Sequence, residues 1–505
     1  MAADRRSFLK KAVLGSTLVG LGDFRFLEKL PLVYGQQAKL RPSRVEFSPD
    51  IEPLVRLLEE TPRARVVEVF AEQIRRGVGY QQILAALLLA GVRNVQPRPS
   101  VGFKFHAVLV VNSAHLASLA SPATDRWLPI FWALDYFKSA QASDEREGDW
   151  TMPPVDEARV PSPDRALSEF KAAMDRWDEA AADAAVVSLA RSAGTRQLLE
   201  IFAHYGARDY RSIGHKAIFV ANGFRTLECI GRRYAEPVLR SLAYALLAHT
   251  NEPNPAESDL PADRPYRKNL ERVKRIRPDW LNGKSDNQAA QELLSTLRQG
   301  NSDAASELVV EMLNRGVSAQ SIYDGLFLAS AELLARQPGI VSLHAVTTTN
   351  ALHYAFQSVS DDETRRLILL QNAAFLPMFL ESMRNRGTVA NVNLDGWQAP
   401  ESAPADAADI FHLIGPNTSQ AAQAMLGYLE RGGDPETLLQ AARRLVFLKG
   451  NDAHDYKFSS AVFEDYYAIS PPWRNRFLAT SVYRLRGTSE ADNSLVERTR
   501  AALQG

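Results

Sequence analysis

A histidine and a lysine stand three residues apart in the segment 450–458, which reads GNDAHDYKF. If the segment opens a helix, this spacing places the side chains of His454 and Lys457 on one face of one turn. A protonated lysine is a poor partner for a metal ion. A neutral lysine that has captured carbon dioxide as a carbamate offers a hard anionic oxygen, as a carboxylate does. Taken alone, the pair is better explained by a surface lysine next to a histidine that caps a helix.

The position of Lys457 recurs three more times in the chain, and each time it holds a histidine. The string His-Ala-Val-x-x-x-Asn-x-x-His begins at His106 and again at His344. An Arg-Gly-Val triplet precedes both strings, at 76–78 and at 315–317. Two strings of this length, at matching distances from the same triplet, indicate an internal duplication.

A weaker copy of the pattern follows in each half of the chain. Residues 191–192 (Arg-Ser) precede His215, and residues 431–432 (Arg-Gly) precede Lys457. Long stretches without proline and with apolar residues at spacings of three and four, such as 66–92, favour helices. The sequence therefore predicts an all-α fold with a pseudo-twofold internal duplication, in which four helical units, two plus two, surround a central site.

The repeat and the local composition also indicate where the chain divides. Proline and acidic residues concentrate between the two halves, and the last residues are polar. We expect a signal and linker at 1–40, a first helical half at 41–250, a linker at 251–284, a second helical half at 285–490 and a frayed polar tail at 491–505.

Composition and motifs exclude several classes of protein. Lys and Arg together number 59, as do Asp and Glu, and no basic run is present, so the sequence predicts no binding to nucleic acid. The single cysteine, Cys229, excludes an internal disulfide and a cysteine-based zinc site. No G-x-G-x-x-G, G-x-S-x-G, H-E-x-x-H or P-loop pattern supports NADPH binding or the common hydrolase classes.

The N-terminus has the composition of an export signal. Arg5 and Arg6 open a basic segment, a mildly apolar run follows at 12–22, and no acidic residue intervenes before Asp23. This pattern predicts a twin-arginine signal, the twin-arginine translocase as a partner, and a periplasmic or extracellular location. The apolar run is too short for a stable membrane span, and no later segment is long enough. Because this route carries folded proteins, often with a cofactor, it favours a metalloprotein.

Pseudo-symmetric units bring equivalent positions towards a common axis, so histidines that are far apart in the chain are expected to converge. His106, His215 and His344 share one repeat position, and His454 lies one turn before the fourth. Imidazole suits iron, zinc or copper, and an added oxygen ligand favours iron or zinc.

The remaining histidines are predicted to be structural. His115 and His353 lie nine residues beyond His106 and His344, which places them about 180° round an ideal helix. They should therefore face away from the site and serve in packing or hydrogen bonding. Three more histidines have no repeat partner: His204, His249 and His412.

Three short motifs resemble the questin oxidase-like family: His-Ala-Val-x-x-x-Asn, the string from His215 to Ile218, and above all the string from Asp452 to Lys457. The resemblance spans roughly residues 60–490, but only these motifs are specific. It implies an all-helical protein that oxidises aromatic polyketides, by Baeyer–Villiger-type opening of anthraquinones or by oxidative ring cleavage. It also implies a non-haem iron site with a carboxylated lysine, and the motif match gives the ligand roles to His106, His215, His344, His454 and Lys457.

Neighbouring residues are expected to surround the ligands. We place Asp455 and Tyr456 next to them, although an exposed helix cap explains Asp455 better than the orientation of a ligand does. The walls of an apolar pocket are expected from Tyr456 and from four further residues: Phe103, Phe105, Tyr210 and Phe219. For any one of these aromatic residues, core packing is the simpler explanation.

Together these observations predict an exported Fe²⁺-dependent oxygenase that uses O₂ to oxidise an aromatic or quinone-type small molecule. A carbamate derived from CO₂ on Lys457 would complete the ligand set. Two alternatives stay open. One is a non-catalytic helical-repeat binding protein in which the histidines only pack, and the other is a zinc-dependent hydrolase that uses the same site. The export signal is unusual for the family and leaves the substrate open.

Overall fold

The computed structural model describes residues 44–97, 105–249, 251–401 and 406–504. Over these ranges the chain forms 22 α-helices and no β-strand, so the predicted all-α class is confirmed. The signal predicted at 1–40 lies outside the described residues.

The helices are numbered in chain order. Those before residue 250 are α1 (Glu52–Glu60), α2 (Val66–Arg75), α3 (Tyr80–Asn94), α4 (His106–Leu119), α5 (Leu128–Glu147), α6 (Pro163–Arg176), α7 (Glu179–Ser192), α8 (Thr195–Gly206), α9 (Arg211–Ile230) and α10 (Ala235–Leu247). Those after residue 250 are α11 (Arg264–Arg272), α12 (Asn287–Arg298), α13 (Ser302–Arg315), α14 (Ala319–Arg336), α15 (Ile340–Ser358), α16 (Asp362–Arg384), α17 (Ala407–Leu413), α18 (Thr418–Glu430), α19 (Pro435–Lys449), α20 (Ala453–Ala468), α21 (Pro471–Thr480) and α22 (Leu495–Gln504).

Four helices form a closed ring. α4 packs on α9, α9 on α15, α15 on α20, and α20 back on α4. Each ring helix is flanked by the helices that precede and follow it in the chain: α3 and α5 around α4, α8 and α10 around α9, α14 and α16 around α15, and α19 and α21 around α20. The ring therefore contains four three-helix units in chain order, whereas the duplication itself stays a prediction.

The ring helices are apolar on almost every side because other helices surround them. In α4 every residue from His106 to Ala114 is buried, and in α15 every residue from Val341 to His353 is buried. Val108–Val111 has the composition of a strand, yet it lies within α4. Despite this apolar character, no helix in the described part of the chain is long and apolar enough to cross a membrane.

The C-terminal segment corrects an expectation. Instead of a frayed tail, residues 491–505 contain α22, which packs on α2 and α5. Val496 and Thr499 are buried, and Arg498 donates two hydrogen bonds to Glu68, at 2.8 and 2.7 Å. The polar composition concealed a narrow apolar face, which is sufficient to dock a short helix. The predicted linker at 251–284 also contains a helix, α11, which packs on α13 and α16.

Candidate metal centre

Four histidines, one from each ring helix, meet in the core. His106, His215, His344 and His454 are each at most 6 % exposed. One side-chain nitrogen of each lies within 4.8 Å of those of the other three. Neighbouring rings have centroids 4.3 to 5.1 Å apart, in the cyclic order 106, 215, 344, 454, and His106 lies 6.4 Å from His344 across the cluster. The structure thus brings together the four histidines that the sequence selected.

Each histidine lies near the start of its helix. His106 is the first residue of α4, His454 the second of α20 and His344 the fifth of α15, while α9 regains helical backbone at His215. The partial positive charge at a helix N-terminus acts over the first turn and favours anions. Four helix starts around one buried point therefore disfavour a bare cation and favour an anionic ligand beside any metal ion.

The chain delivers His215 through a short left-handed turn. Ser212, Ile213 and Gly214 have φ angles of 51°, 50° and 77°, a conformation that is costly for a β-branched residue such as isoleucine. At Gly214 a Cβ atom would lie only 2.4 Å from Oγ1 of Thr348, so this position requires glycine. The turn aims the carbonyl of Ser212 at the ring of His215. Backbone strain of this kind concentrates at functional sites.

Backbone carbonyls set the tautomers of two histidines. His215 donates from Nδ1 to the carbonyl oxygen of Ser212 at 2.5 Å, and His344 donates from Nδ1 to that of Ile340 at 2.6 Å. A carbonyl oxygen only accepts hydrogen bonds, so Nδ1 carries the proton in both rings and Nε2 carries a lone pair. This is the arrangement in which a histidine binds a metal ion through Nε2.

The Nε2 atoms of three of these histidines lie close together. Nε2 of His215 lies 3.0 Å from Nε2 of His344 and 3.1 Å from Nε2 of His106. Burial lowers the pKa of all three histidines, that of His215 to about 3, and the charge of Lys457 adds to the effect. Burial therefore disfavours a proton shared between His215 and His344, whereas a bound cation would satisfy both lone pairs. Adjacent ligands on an octahedral ion, with bonds of about 2.1 Å, have nitrogen atoms about 3.0 Å apart.

His454 is oriented by a carboxylate instead of a carbonyl. Asp452 caps α20, and its Oδ1 accepts from Nδ1 of His454 at 2.7 Å and from the backbone N–H of His454 at 2.9 Å. Burial opposes the ionisation of Asp452, but the contact with His454 outweighs it and lowers the pKa of Asp452 to about 2. This role of Asp452 was not predicted from the sequence. The available signal was a capping aspartate two residues before a candidate ligand.

Lys457 reaches the cluster from the same turn of α20. It is 3 % exposed, and its Nζ makes no hydrogen bond to any described residue. The charge of Lys457 lowers the pKa of all four histidines. Burial lowers the pKa of Lys457 to about 7, although the charge of Asp452 acts in the opposite direction. This burial excludes a surface lysine.

Asp455 is buried, which corrects its assignment as an exposed cap. Its Oδ2 accepts from the backbone N–H groups of Asn451 and Asp452, at 3.1 and 3.2 Å, and from Arg486 at 2.7 Å. Asp455 therefore completes a capping box with Asp452. It also fixes the backbone of Asp452, the residue whose carboxylate contacts His454. Its burial depends on the counter-charge of Arg486, a residue that the local sequence does not reveal.

The predicted aromatic wall lies only partly beside the histidines. Phe219 packs on the ring of His215 with 5.7 Å between centroids, and Phe105 meets Phe219 edge to face at 4.8 Å. Tyr210 packs instead on the ring of Phe379, at 4.9 Å. The apolar surface next to the cluster is therefore formed by Phe105 and Phe219.

Tyr456 and Phe103 complete the set of residues assigned to the surroundings of the ligands. Tyr456 is fully buried and stacks on Trp132 of α5, with 4.4 Å between centroids. Its place two residues after His454 turns it about 200° round the helix. Tyr456 thus packs on the opposite side of α20 from the histidines. Phe103 lies outside the described residues.

The other histidines do not belong to the cluster. Nδ1 of His115 lies 3.0 Å from the hydroxyl oxygen of Tyr80, and the ring of His353 packs on that of Tyr323 at 4.6 Å. Both residues therefore face away from the site. Three more histidines also lie outside it: His204, His249 and His412.

Comparisons with protein-family models, with curated proteins and with solved structures found no match to this chain. The assignment of the site therefore depends on its own donors. Four buried imidazoles, with two Nε2 lone pairs face to face and an amine that lacks a hydrogen-bond partner among the described residues, fit a metal ion.

Proposed function

We propose that this protein is a mononuclear non-haem iron oxygenase that uses O₂ to oxidise an aromatic or quinone-type small molecule. Its ligands would be the Nε2 atoms or other ring nitrogens of the four clustered histidines, together with a carbamate oxygen on Lys457. The observation that carries the proposal is the pair of Nε2 lone pairs on His215 and His344, which face each other 3.0 Å apart in the core.

A binding protein whose histidines only pack gives no account of these lone pairs. Packing alone would pair each buried Nε2 with a donor, because an unsatisfied buried acceptor costs about 1–3 kcal/mol. A bridging proton is disfavoured, since burial lowers the pKa of His215 and that of His344 far below neutrality. A metal ion satisfies both rings at once.

The carbamate follows from the chemistry of a buried amine. A neutral amine adds to the carbon of CO₂, which forms an N–C bond, releases one proton and leaves a negative charge shared by two oxygens. Nζ of Lys457 has no hydrogen-bond partner among the described residues, and a pKa of about 7 leaves much of it neutral. The surrounding helix N-termini would stabilise the new charge. An anionic oxygen beside imidazoles favours iron or zinc over copper.

A bound iron ion would supply Lewis acidity and one-electron redox chemistry for the use of O₂. The protein would hold, orient and shield the site. Two backbone carbonyls and the carboxylate of Asp452 orient three of the imidazoles. Phe219 presents an apolar ring beside His215, and Phe105 packs on Phe219, which suits the exclusion of water and contact with a flat aromatic substrate.

Metal analysis of the purified protein tests the proposal. Wild type, Lys457→Ala and Lys449→Ala, a control on the preceding helix α19, are folded with ferrous iron and bicarbonate and compared by elemental mass spectrometry. We expect iron at a one-to-one ratio in wild type and in Lys449→Ala, and its loss in Lys457→Ala. Oxygen uptake with a panel of quinones and hydroxylated aromatics then tests the oxidation.

Other outcomes would change the assignment. Zinc in place of iron, with no oxygen uptake, would favour a hydrolase that uses the same residues. The absence of metal from wild type would refute the metal centre and favour the binding protein. Unchanged iron in Lys457→Ala would remove Lys457 from the ligand set.

Export through the twin-arginine pathway is proposed from residues 1–40 alone, which lie outside the described part of the chain. Fusion of this segment to a reporter that folds in the cytoplasm tests it. We expect transport of the reporter and its loss when Arg5 and Arg6 are both replaced by lysine. A reporter that stays in the cytoplasm with the intact segment would refute the export signal.

A further inference from the structure

The histidines of the cluster differ in what holds their Nδ1 atoms. His215 and His344 donate to backbone carbonyls, which are neutral dipoles. His454 donates to a carboxylate, that of Asp452, at 2.7 Å. A negative partner at Nδ1 stabilises the positive charge that the ring gains when its other nitrogen binds a cation, so it makes the ring a stronger donor.

We infer that Asp452 is a positioning residue that strengthens His454 as a ligand and slows the release of the metal ion. The inference rests on the proposed metal centre and concerns one residue that the ligand set does not include. Outer partners of this kind change metal affinity by about 10- to 100-fold when they are removed.

The local structure holds Asp452 in one position. Its Oδ1 is shared between the backbone N–H and the ring of His454, and its own backbone N–H donates to Asp455 at 3.2 Å. Asp455 is fixed in turn by Arg486, at 2.7 Å. Gly450 leaves no room for a side chain, since a Cβ there would lie 2.2 Å from a backbone carbonyl oxygen and 3.3 Å from Asp455. The carboxylate therefore approaches His454 from a rigid turn.

Ordinary helix capping explains the contact of the Asp452 carboxylate with a backbone N–H but not its contact with the ring of His454. In the preceding helix, α19, the N-cap Asp434 accepts from the backbone N–H groups of Glu436 and Thr437, at 3.1 Å each. Asp452 caps α20 in the same way and also accepts from the ring of His454. The two aspartates are thus a matched pair in which only Asp452 contacts a candidate ligand.

The rate of metal release distinguishes the capping of α20 by Asp452 from its contact with the ring of His454. Wild type, Asp452→Asn, Asp452→Ala and Asp434→Ala are loaded with Co²⁺, and the loss of visible cobalt absorption is followed in excess EDTA. Asparagine retains an acceptor oxygen but removes the charge, whereas alanine removes both. We expect release about 10-fold faster in Asp452→Asn, about 100-fold faster in Asp452→Ala, and unchanged in Asp434→Ala.

Two further readouts exclude a purely structural effect. The ligand-field bands of bound Co²⁺ should shift in Asp452→Asn and stay in place in Asp434→Ala. The melting temperature of the metal-free protein should fall in both alanine variants, because each loses a helix cap. Equal release rates in Asp452→Ala and Asp434→Ala, or a wild-type rate in Asp452→Asn, would overturn the inference alone. A wild type that binds neither Co²⁺ nor iron would refute the proposed metal centre and this inference together.

Discussion

Two ring helices, α9 and α20, each carry a histidine of the cluster and a buried lysine, and the two lysines differ in their partners. Lys216 donates to Asp209 at 2.8 Å and lies 4.5 Å from the centre of the Trp177 ring. Lys457 has no hydrogen-bond partner among the described residues. Burial lowers the pKa of both amines, that of Lys216 to about 8 and that of Lys457 to about 7.

The difference separates a lysine held by a carboxylate from one without a hydrogen-bond partner among the described residues. An amine beside a carboxylate is held as an ion pair, which is costly to break in the core. A buried amine without a counter-charge loses its proton more easily, and the neutral form is a nucleophile. Both lysines are therefore buried, and it is the carboxylate partner of Lys216 that distinguishes them.

The first turns of α9 and α20 also differ, but here α9 is the unusual helix. α9 begins with the left-handed turn from Ser212 to Gly214, while α20 begins with the ordinary cap of Asp452. One helix thus combines a strained backbone with a paired lysine, and the other combines a relaxed backbone with an unpaired one. Departures from the rules of stable folding concentrate at functional sites, and here each helix shows one of them.

Replacement of each lysine by methionine should give the largest effect. Lys216→Met removes one partner of a buried ion pair, which typically lowers the free energy of unfolding by about 3–5 kcal/mol. Because Arg211 lies 3.5 Å from Asp209 and still offers it a positive charge, we expect a loss of about 3 kcal/mol. Lys457→Met removes an unsatisfied polar group, so the metal-free protein should be as stable as wild type or more stable. Urea denaturation measures both. Equal losses would abolish the distinction between the two lysines.

Gly214→Ala should give the next largest effect. The left-handed backbone costs about 1–2 kcal/mol for a residue with a Cβ, and contact with Thr348 should bring the total to about 3 kcal/mol. Gly77→Ala is the control, because Gly77 has a φ of 94° and no atom within 4 Å of the added Cβ. It should lose only about 1 kcal/mol. Thermal unfolding compares the two, and a larger loss at Gly77 would contradict the tight approach of α9 to Thr348.

The stability of the metal-free protein should depend on pH through the two lysines. The pKa of Lys457, about 7 in the folded state, lies below its ordinary value of about 10.4, so the unfolded state binds more protons between these values. Stability should therefore rise with pH across this window. In Lys457→Met the free energy of unfolding should increase less steeply with pH above about pH 7. In Lys216→Met the slope should be reduced only above about pH 8. Urea denaturation at a series of pH values measures the slopes, and a wild-type slope in Lys457→Met would show that the buried amine is not strained.

The smallest effect is expected from relief of strain at Ser212. Ser212→Gly keeps the backbone carbonyl that orients His215 and removes a Cβ from left-handed backbone, so it should stabilise the protein by up to about 1 kcal/mol. The same change at Ser168, inside α6, should instead cost about 0.5 kcal/mol. Melting temperatures report both. Destabilisation by Ser212→Gly would show that the hydroxyl contributes more than the strain costs.

The sequence predicted well where the deciding interactions are local. Apolar periodicity predicted the all-α class. The repeat position selected His106, His215 and His344, His454 was added because it lies one turn before Lys457, and the structure brings these four histidines together. It failed where a distant partner decides. The burial of Asp455 depends on Arg486, and the last helix docks because α2 and α5, distant in the chain, cover its narrow apolar face. No local pattern marks either partner.

By itself, then, the sequence determined the helices, their caps and the positions from which the histidines start, because these depend on residues within a few turns of one another. The tertiary structure alone decided that Nε2 of His215 meets those of His106 and His344, which lie 109 and 129 residues away in the chain. It also decided which lysine has a carboxylate partner. Hydrogen bonds and charge interactions change strongly over a few ångströms, and only the packing of the ring helices sets distances that finely.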